Sequence, residues 1–276
     1  MLGTIGGCYL VLMVLLLVAN ASYTDPSHFK AILAKPEIRY AFKLTIVSCT
    51  VAAIMSLWVG TALGYLLARF SFRGKWLVDT LVDVPIVLPP LVLGLSLLIL
   101  FHLPIGGQRL EDLFQDAARW VQGRLPSWMP EAVRTTPLRI TYGVPGVILA
   151  QFSVACAFAI RTMRITFSQI NPRAEQVART LGCSRGQAFW RITLPQALPG
   201  MLSAFTVAWA RSLGEFGPIL VFAGATRMRT EVLSTTVFLE LSVGNLEASV
   251  AVSLLMVAMA FAVLGVLRLV GGELGR

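Results

Sequence analysis

The feature that most constrains this chain is a series of uninterrupted apolar runs, at about 5–21, 40–68, 81–103, 144–165, 201–223 and 246–270. A hydrocarbon core of about 30 Å takes about 20 helical residues at a rise of 1.5 Å each. Backbone groups in lipid must be paired within the protein, so only helices or a closed barrel can span. The runs are continuous rather than alternating, which selects helices. Composition agrees: only 13% of residues are charged, against about 25% in a soluble domain. The expected fold class is therefore all-α integral membrane, with about six transmembrane helices in one membrane domain and no internal repeat.

The formal charge of +9 fits Lys and Arg flanking membrane spans. No basic stripe interleaved with aromatics occurs, so nucleic acid is excluded as a partner. Cys8, Cys49 and Cys156 lie in apolar runs, Cys183 does not, and no CxxC is present. Buried apolar thiols are the expectation, not a disulfide framework or a metal site. His28 and His102 are the only histidines, which argues against a histidine centre.

The first run ends in Ala19-Asn20-Ala21, which mimics a peptidase site, but the stretch before it has no Lys or Arg. Residues 1–22 are read as a first transmembrane helix or signal anchor, with cleavage the alternative. The third run contains Pro85, Pro89 and Pro90. Each removes a backbone donor and clashes with the carbonyl four residues back, so this helix should be bent or broken. A packing kink and a break lining a pathway are both open. In the connection from about 104 to 143, Leu110, Leu113, Phe114, Ala117, Ala118 and Val121 form one helical face, with Glu111, Asp112, Asp116 and Arg119 elsewhere. That helix is expected on the membrane surface or on a partner. Asp79 and Asp83, at i and i+4 near the start of the third span, are read as carboxylates stabilised by a helix N-terminus.

The polar loop at about 171–199 is the most informative segment. Asn171 is a good N-cap, Pro172 suits the first helical position, and Gly182 suits a C-terminal stop. Ser184 with Gln187 reads as the capping box of a second short helix, ended by Pro195. Ala174, Val177, Ala178 and Leu181 line a small-residue face. A surface elbow and a docking site for another protein both remain open.

These residues resemble the "EAA" loop, EAA-x3-G-x9-I-x-LP, of inner-membrane permeases of binding-protein-dependent ABC importers. Gln176-Val177-Ala178 stands at the EAA position, Gly182 follows at the motif's spacing, and Ile192, Leu194 and Pro195 close it. Gln replaces the motif's Glu, with Glu175 one residue earlier, and Val replaces the first Ala. Leu88-Pro89-Pro90, Arg161-x-x-Arg164 and Ala210-Arg-Ser-Leu-Gly-Glu-Phe-Gly217 are similar to the molybdate/tungstate and sulfate branch, the last closest to molybdate permeases. The resemblance implies a type I ABC importer permease-like fold, with a permease core at 40–272. It implies a second permease copy as a homodimer or pseudo-symmetric pair, cytoplasmic ATPase subunits, and an extracytoplasmic substrate-binding protein. It also places the loop, and with it the amino terminus, in the cytoplasm of a cell inner membrane. Lys and Arg do not decide that orientation, because they divide equally between the sides, with Arg276 on one and Lys30 and Arg134 on the other. No GxxxxGK[ST] occurs, so no cofactor is expected in this chain, and ATP and Mg fall to the partner ATPase.

Arg211 and Glu215 lie about a dozen residues past Pro199, near mid-bilayer. A lone charge there costs at least about 2.5–3.5 kcal/mol on insertion scales, and i, i+4 spacing lets the two share that burden. One reading is a self-neutralised packing pair. The other is an anion path, in which Arg211 and Ser212 attract the ion while Glu215 keeps it from being trapped. Gly214, Gly217 and Pro218 permit the unwinding a gate needs. The expected cargo is an oxyanion, molybdate or tungstate before sulfate, thiosulfate, a polyamine or ferric ion. A membrane-embedded enzyme would need HExxH, GxSxG or facing aspartates, and the first two are missing. A passive channel or scaffold leaves the paired loop helices unexplained.

Overall fold

The computed structural model describes residues 2–23, 29, 32–105, 107–124 and 139–274. His28, Lys30, Arg134 and Arg276 lie outside them. The first helix, α1, is Leu2–Ser22, with Tyr9, Leu10, Leu12 and Leu16 all more than half exposed. It touches the rest of the described chain mainly through the last helix. Cys8 is exposed on it, whereas Cys49 and Cys156 are buried.

Helix α2, Pro36–Arg69, has Pro36 at its first turn, where the missing N–H costs nothing. Its 34 residues reach roughly 50 Å. It packs along α6, Val144–Gln169, the most extensive helix pair in the described chain. Glycine makes this possible. A Cβ on Gly60 would stand 3.0 Å from the Ala159 backbone, and one on Gly64 would stand 2.8 Å from Met163 Cβ and 2.9 Å from Arg164 N. In lipid no hydrophobic effect drives helices together, so close backbone approach through small residues supplies the attraction. Ala52, Ala53, Ala155 and Ala159 continue the contact, all with no exposed surface.

The third run is two helices, α3 Lys75–Val87 and α4 Pro90–His102, bent by 114° at Leu88-Pro89. The prolines break the span, where sequence left a bend or a break open. Asp79 and Asp83 also differ from expectation. They lie past the first turn of α3 and pair with Arg164 and Arg161 of α6. Cross-helix charge, not a helix N-terminus, neutralises them.

A two-residue hairpin pairs Pro104 with Arg109 and Ile105 with Gln108 and leads into α5, Leu110–Gln122. Phe114 stacks on Phe101 of α4 at 5.7 Å, so α5 lies across the end of that helix. Glu111 is an anchor and not a solvated charge. It accepts from Ile140 N, Thr141 N and Thr141 Oγ1 at 3.0, 3.1 and 2.7 Å. Burial pushes its carboxyl up, but the bonds from Thr141, Gln115 and Ile140 outweigh that and hold it below the usual value.

After α6 come α7 Pro172–Thr180, α8 Arg185–Ala188, a wide π turn Phe189–Thr193, and α9 Leu194–Leu213. A second π turn, Ile219–Ala223, precedes α10 Leu233–Ser242 and α11 Leu246–Leu274. Thr45 of α2 caps α10, accepting from Leu233 N at 2.9 Å. Among the described residues, α2, α6 and residues 246–269 are long and apolar enough to cross a membrane as single helices, and α3–α4 would do so as a pair.

Candidate functional site

The loop between α6 and α9 is built by local signals. Asn171 Oδ1 accepts from Arg173 N at 3.0 Å, opening α7 behind Pro172. Gly182 closes it at φ +93°, while Cys183 N donates to Ala178 O at 3.0 Å. That turn places a residue in the left-handed region, where a Cβ is strained. Ser184 and Gln187 then cap α8 reciprocally, at 2.9 and 3.3 Å.

Pro195 does not end this second segment. Helix continues unbroken from Arg185 to Leu213, with Pro195 in the first turn of α9. Proline has no N–H for the Arg191 carbonyl four residues back. The chain widens just before it instead, and Leu194 N bonds Phe189 O, five residues earlier.

Glu175 points inward. It accepts from Tyr65 Oη of α2 at 2.5 Å and from Thr193 Oγ1 of the π turn at 3.1 Å. Arg69 Nε lies 4.0 Å from the same carboxylate, and Arg69 Nη2 donates to Ile170 O at 2.9 Å. Tyr65 packs edge-on against Phe167 and Phe189. One carboxylate therefore ties α2, α7 and the π turn together. Ala178 is buried beside it, and Ile192 and Leu194 are half-buried. Gln176, Gly182 and Pro195 face outward, with Val177 56%, Leu181 81% and Trp190 68% exposed.

At its other end α9 stops at Gly214, and helix resumes only at Gly217. Arg211 Nη1 lies 2.8 Å from Glu215 Oε2. That approach lacks hydrogen-bond geometry, so both Glu215 oxygens are buried without a donor. Ser212 Oγ and Gln151 Oε1 are also buried without partners. Gln151 Nε2 donates to Ser212 O at 3.3 Å, and Ser234 Oγ donates to Glu215 O at 2.7 Å. The break packs on the α3–α4 elbow: a Cβ on Gly217 would stand 3.0 Å from Leu91 N, and one on Gly94 would stand 2.7 Å from Pro218 Cα. The structure thus brings Arg211, Ser212, Gly214, Glu215 and Gly217 to one break, about 27 Å along α9 from the loop at 1.5 Å per residue.

Sequence reasoning passed over Tyr65, Thr193, Gln151 and Ser234. Gln151 carried a signal, since an amide inside an apolar span must find partners. Tyr65 carried none, because its partner lies 110 residues away.

Residues 60–272 match the family model described as the inner membrane component of binding-protein-dependent transport systems. The chain is 27% identical, over 98% of its length and 90% of the relative's, to the sulfate transport system permease protein CysT of Escherichia coli strain K12. It is 32% identical, over 93% of its length and 89% of the relative's, to the molybdenum transport system permease protein ModB of Mycobacterium tuberculosis. To the molybdate/tungstate transport system permease protein WtpB of Pyrococcus abyssi it is 36% identical, over 68% of its length and 62% of the relative's. Among solved structures, a bacterial ABC transporter involved in import of the acidic polysaccharide alginate superposes with a TM-score of 0.67 at 18% identity, over 97% of this chain and 90% of that one. The MetNI methionine ABC transporter in an inward-facing conformation gives 0.58 at 17% identity, over 87% and 94%. Identities this low bear on the fold alone.

Proposed function

Since the chain belongs to the family of inner membrane components of binding-protein-dependent transport systems, we propose that it is the permease subunit of an ATP-driven oxyanion importer, carrying molybdate or tungstate into the cytoplasm. The observation that carries this reading is α9, one continuous helix of 20 residues that joins an outward-facing loop to a broken, charged segment in the membrane. Val177, Leu181 and Trp190 give the loop an exposed apolar face suited to a partner ATPase. That partner binds ATP and Mg. An extracytoplasmic binding protein delivers the cargo, and a second copy of this chain completes the path.

The mechanism follows from the connections. Closure of the ATPase moves α7 and α8. The Glu175 contacts pass that movement to α2 through Tyr65 and to the π turn through Thr193. Helix α9 then carries it to Gly214. There Arg211 supplies attraction for an anion, and Glu215 keeps that attraction weak enough for release. The molybdenum permease, 32% identical over 93% of this chain, and the molybdate/tungstate permease, 36% over 68%, support this cargo against the sulfate permease, 27% over 98%.

Uptake into vesicles holding this chain, its ATPase and its binding protein tests the reading. Molybdate and tungstate should be accumulated and should compete at lower concentration than sulfate. Preferred sulfate uptake would transfer the chain to a sulfate importer, and uptake without ATP would end the importer reading.

A further inference from the structure

Between the cytoplasmic-loop helices and the end of α2 lies a cavity of about 480 Å³. Arg69 of α2, Arg179 of α7 and Arg185 of α8 line it, and among the described residues the only carboxylate in its wall is Glu175. That carboxylate accepts from Tyr65 and Thr193 and lies 4.0 Å from Arg69 Nε, so one negative charge stands against three positive ones. Arg179 and Arg185 make no ion pair with any described residue. Arg69 is only 12% exposed, and its Nε is buried without a hydrogen-bond acceptor. Three guanidinium groups around one void repel one another, and their planar donor forks match the oxygens of a tetrahedral anion.

We propose that this cavity binds a phosphate-class oxyanion, bridging Arg69 at the end of α2 to Arg179 and Arg185 on the two loop helices. Its side of the membrane rests on the function proposed above; the site itself does not. The volume admits either a free oxyanion or the phosphate of a lipid headgroup. Exposed Phe70, Phe72 and Trp76 at this end of the helices place the cavity within reach of the membrane surface. A bound anion would fasten the loop to α2 alongside the Glu175 contacts.

The test uses the full chain in a maltoside detergent, which carries no phosphate, titrated calorimetrically with inorganic phosphate and with sulfate. Saturable binding is expected, weakened at least tenfold in Arg179→Gln/Arg185→Gln. Both side chains are exposed, so this variant should fold. Arg173→Gln, exposed and outside the cavity, should bind as the parent does. Phosphate affinity that falls in phosphatidylglycerol nanodiscs assigns the site to a lipid phosphate, and unchanged affinity assigns it to a soluble anion. The proposal is overturned by no saturable binding in the detergent, by binding indifferent to the double variant, or by binding lost only in Arg211→Gln. Binding abolished by nucleotide-free partner ATPase would give the cavity to that subunit's acidic side chains, and would overturn it too. None of these outcomes bears on ATP-driven uptake, so the importer reading stands or falls separately.

Discussion

The α2–α6 pair and the break that opens at Gly214 solve burial in opposite ways. The pair is two continuous helices in backbone contact, with the loop bound to it through a well-satisfied Glu175. At the break, two proline- and glycine-interrupted segments meet, and Ser212 Oγ, Gln151 Oε1 and both Glu215 oxygens lack hydrogen bonds. Close-packed interfaces have few alternative arrangements. Buried polar groups left unpaired keep a reason to rearrange, because each costs about 1–3 kcal/mol where it stands. Under the proposed mechanism the pair is the frame and the break is the part that moves.

The largest effect is expected where the frame has no slack. Gly64→Leu sets a Cβ 2.8 Å from Met163 Cβ and 2.9 Å from Arg164 N, and backbone cannot yield there. Overpacking typically costs about 1–3 kcal/mol and more when nothing gives, so a loss of about 3 kcal/mol or more is expected. Thermal unfolding in detergent reads it directly. A variant as stable as the parent would show that α2 and α6 slide, and the frame would be no frame.

Next is the tie between frame and loop. Glu175→Ala strands the Tyr65 and Thr193 hydroxyls and leaves nearly buried Arg69 without its carboxylate. Hydrogen bonds to charged groups contribute about 1.5–3 kcal/mol, so about 2 kcal/mol is expected, with ATP hydrolysis no longer matched to uptake. Tyr65→Phe should cost about 1 kcal/mol. Equal stability in all three proteins would remove Glu175 as a tie.

The loop's turn ranks below these. At Gly182 a Cβ would meet nothing within 4 Å, so only its φ of +93° opposes substitution. A left-handed conformation costs a non-glycine residue about 1–2 kcal/mol, and Gly182→Val should cost this while inserting normally. Copurification with the ATPase should fall. A variant that copurifies and transports normally would deny the loop its coupling role.

What sequence revealed about these regions divides by distance along the chain. The Asn171 cap, the Gly182 turn and the Ser184–Gln187 box each close within about four residues, and local chemistry determines them. Gly60-x-x-x-Gly64 is equally local, a small-residue spacing that marks close helix contact, yet the sequence reading passed over it. Pro195 misled because proline usually ends a helix, whereas a π turn absorbed its missing donor. Asp79 and Asp83 misled because a helix-end rule was applied to side chains whose partners stand on α6. Glu175's partners lie 110 and 18 residues away, and no local pattern encodes that meeting.

The smallest stability effect, and the sharpest separation of the two regions, is expected from Glu215→Gln. The substitution keeps shape and removes a buried charge whose oxygens have no hydrogen-bond donor. Burying the carboxylate costs desolvation that one ion pair only partly repays. Arg211, 32% exposed, keeps some hydration when its partner is neutralised. These terms oppose, so stability should change by less than about 1 kcal/mol. Uptake should not be spared. With the carboxylate gone, the positive potential at Arg211 is no longer offset, and an oxyanion entering the break should be held longer. The expected result is a lower apparent KM for uptake together with a lower maximal rate. A destabilised protein with unchanged kinetics would make Arg211–Glu215 a packing pair, and would move the break from the moving part of the molecule into its frame.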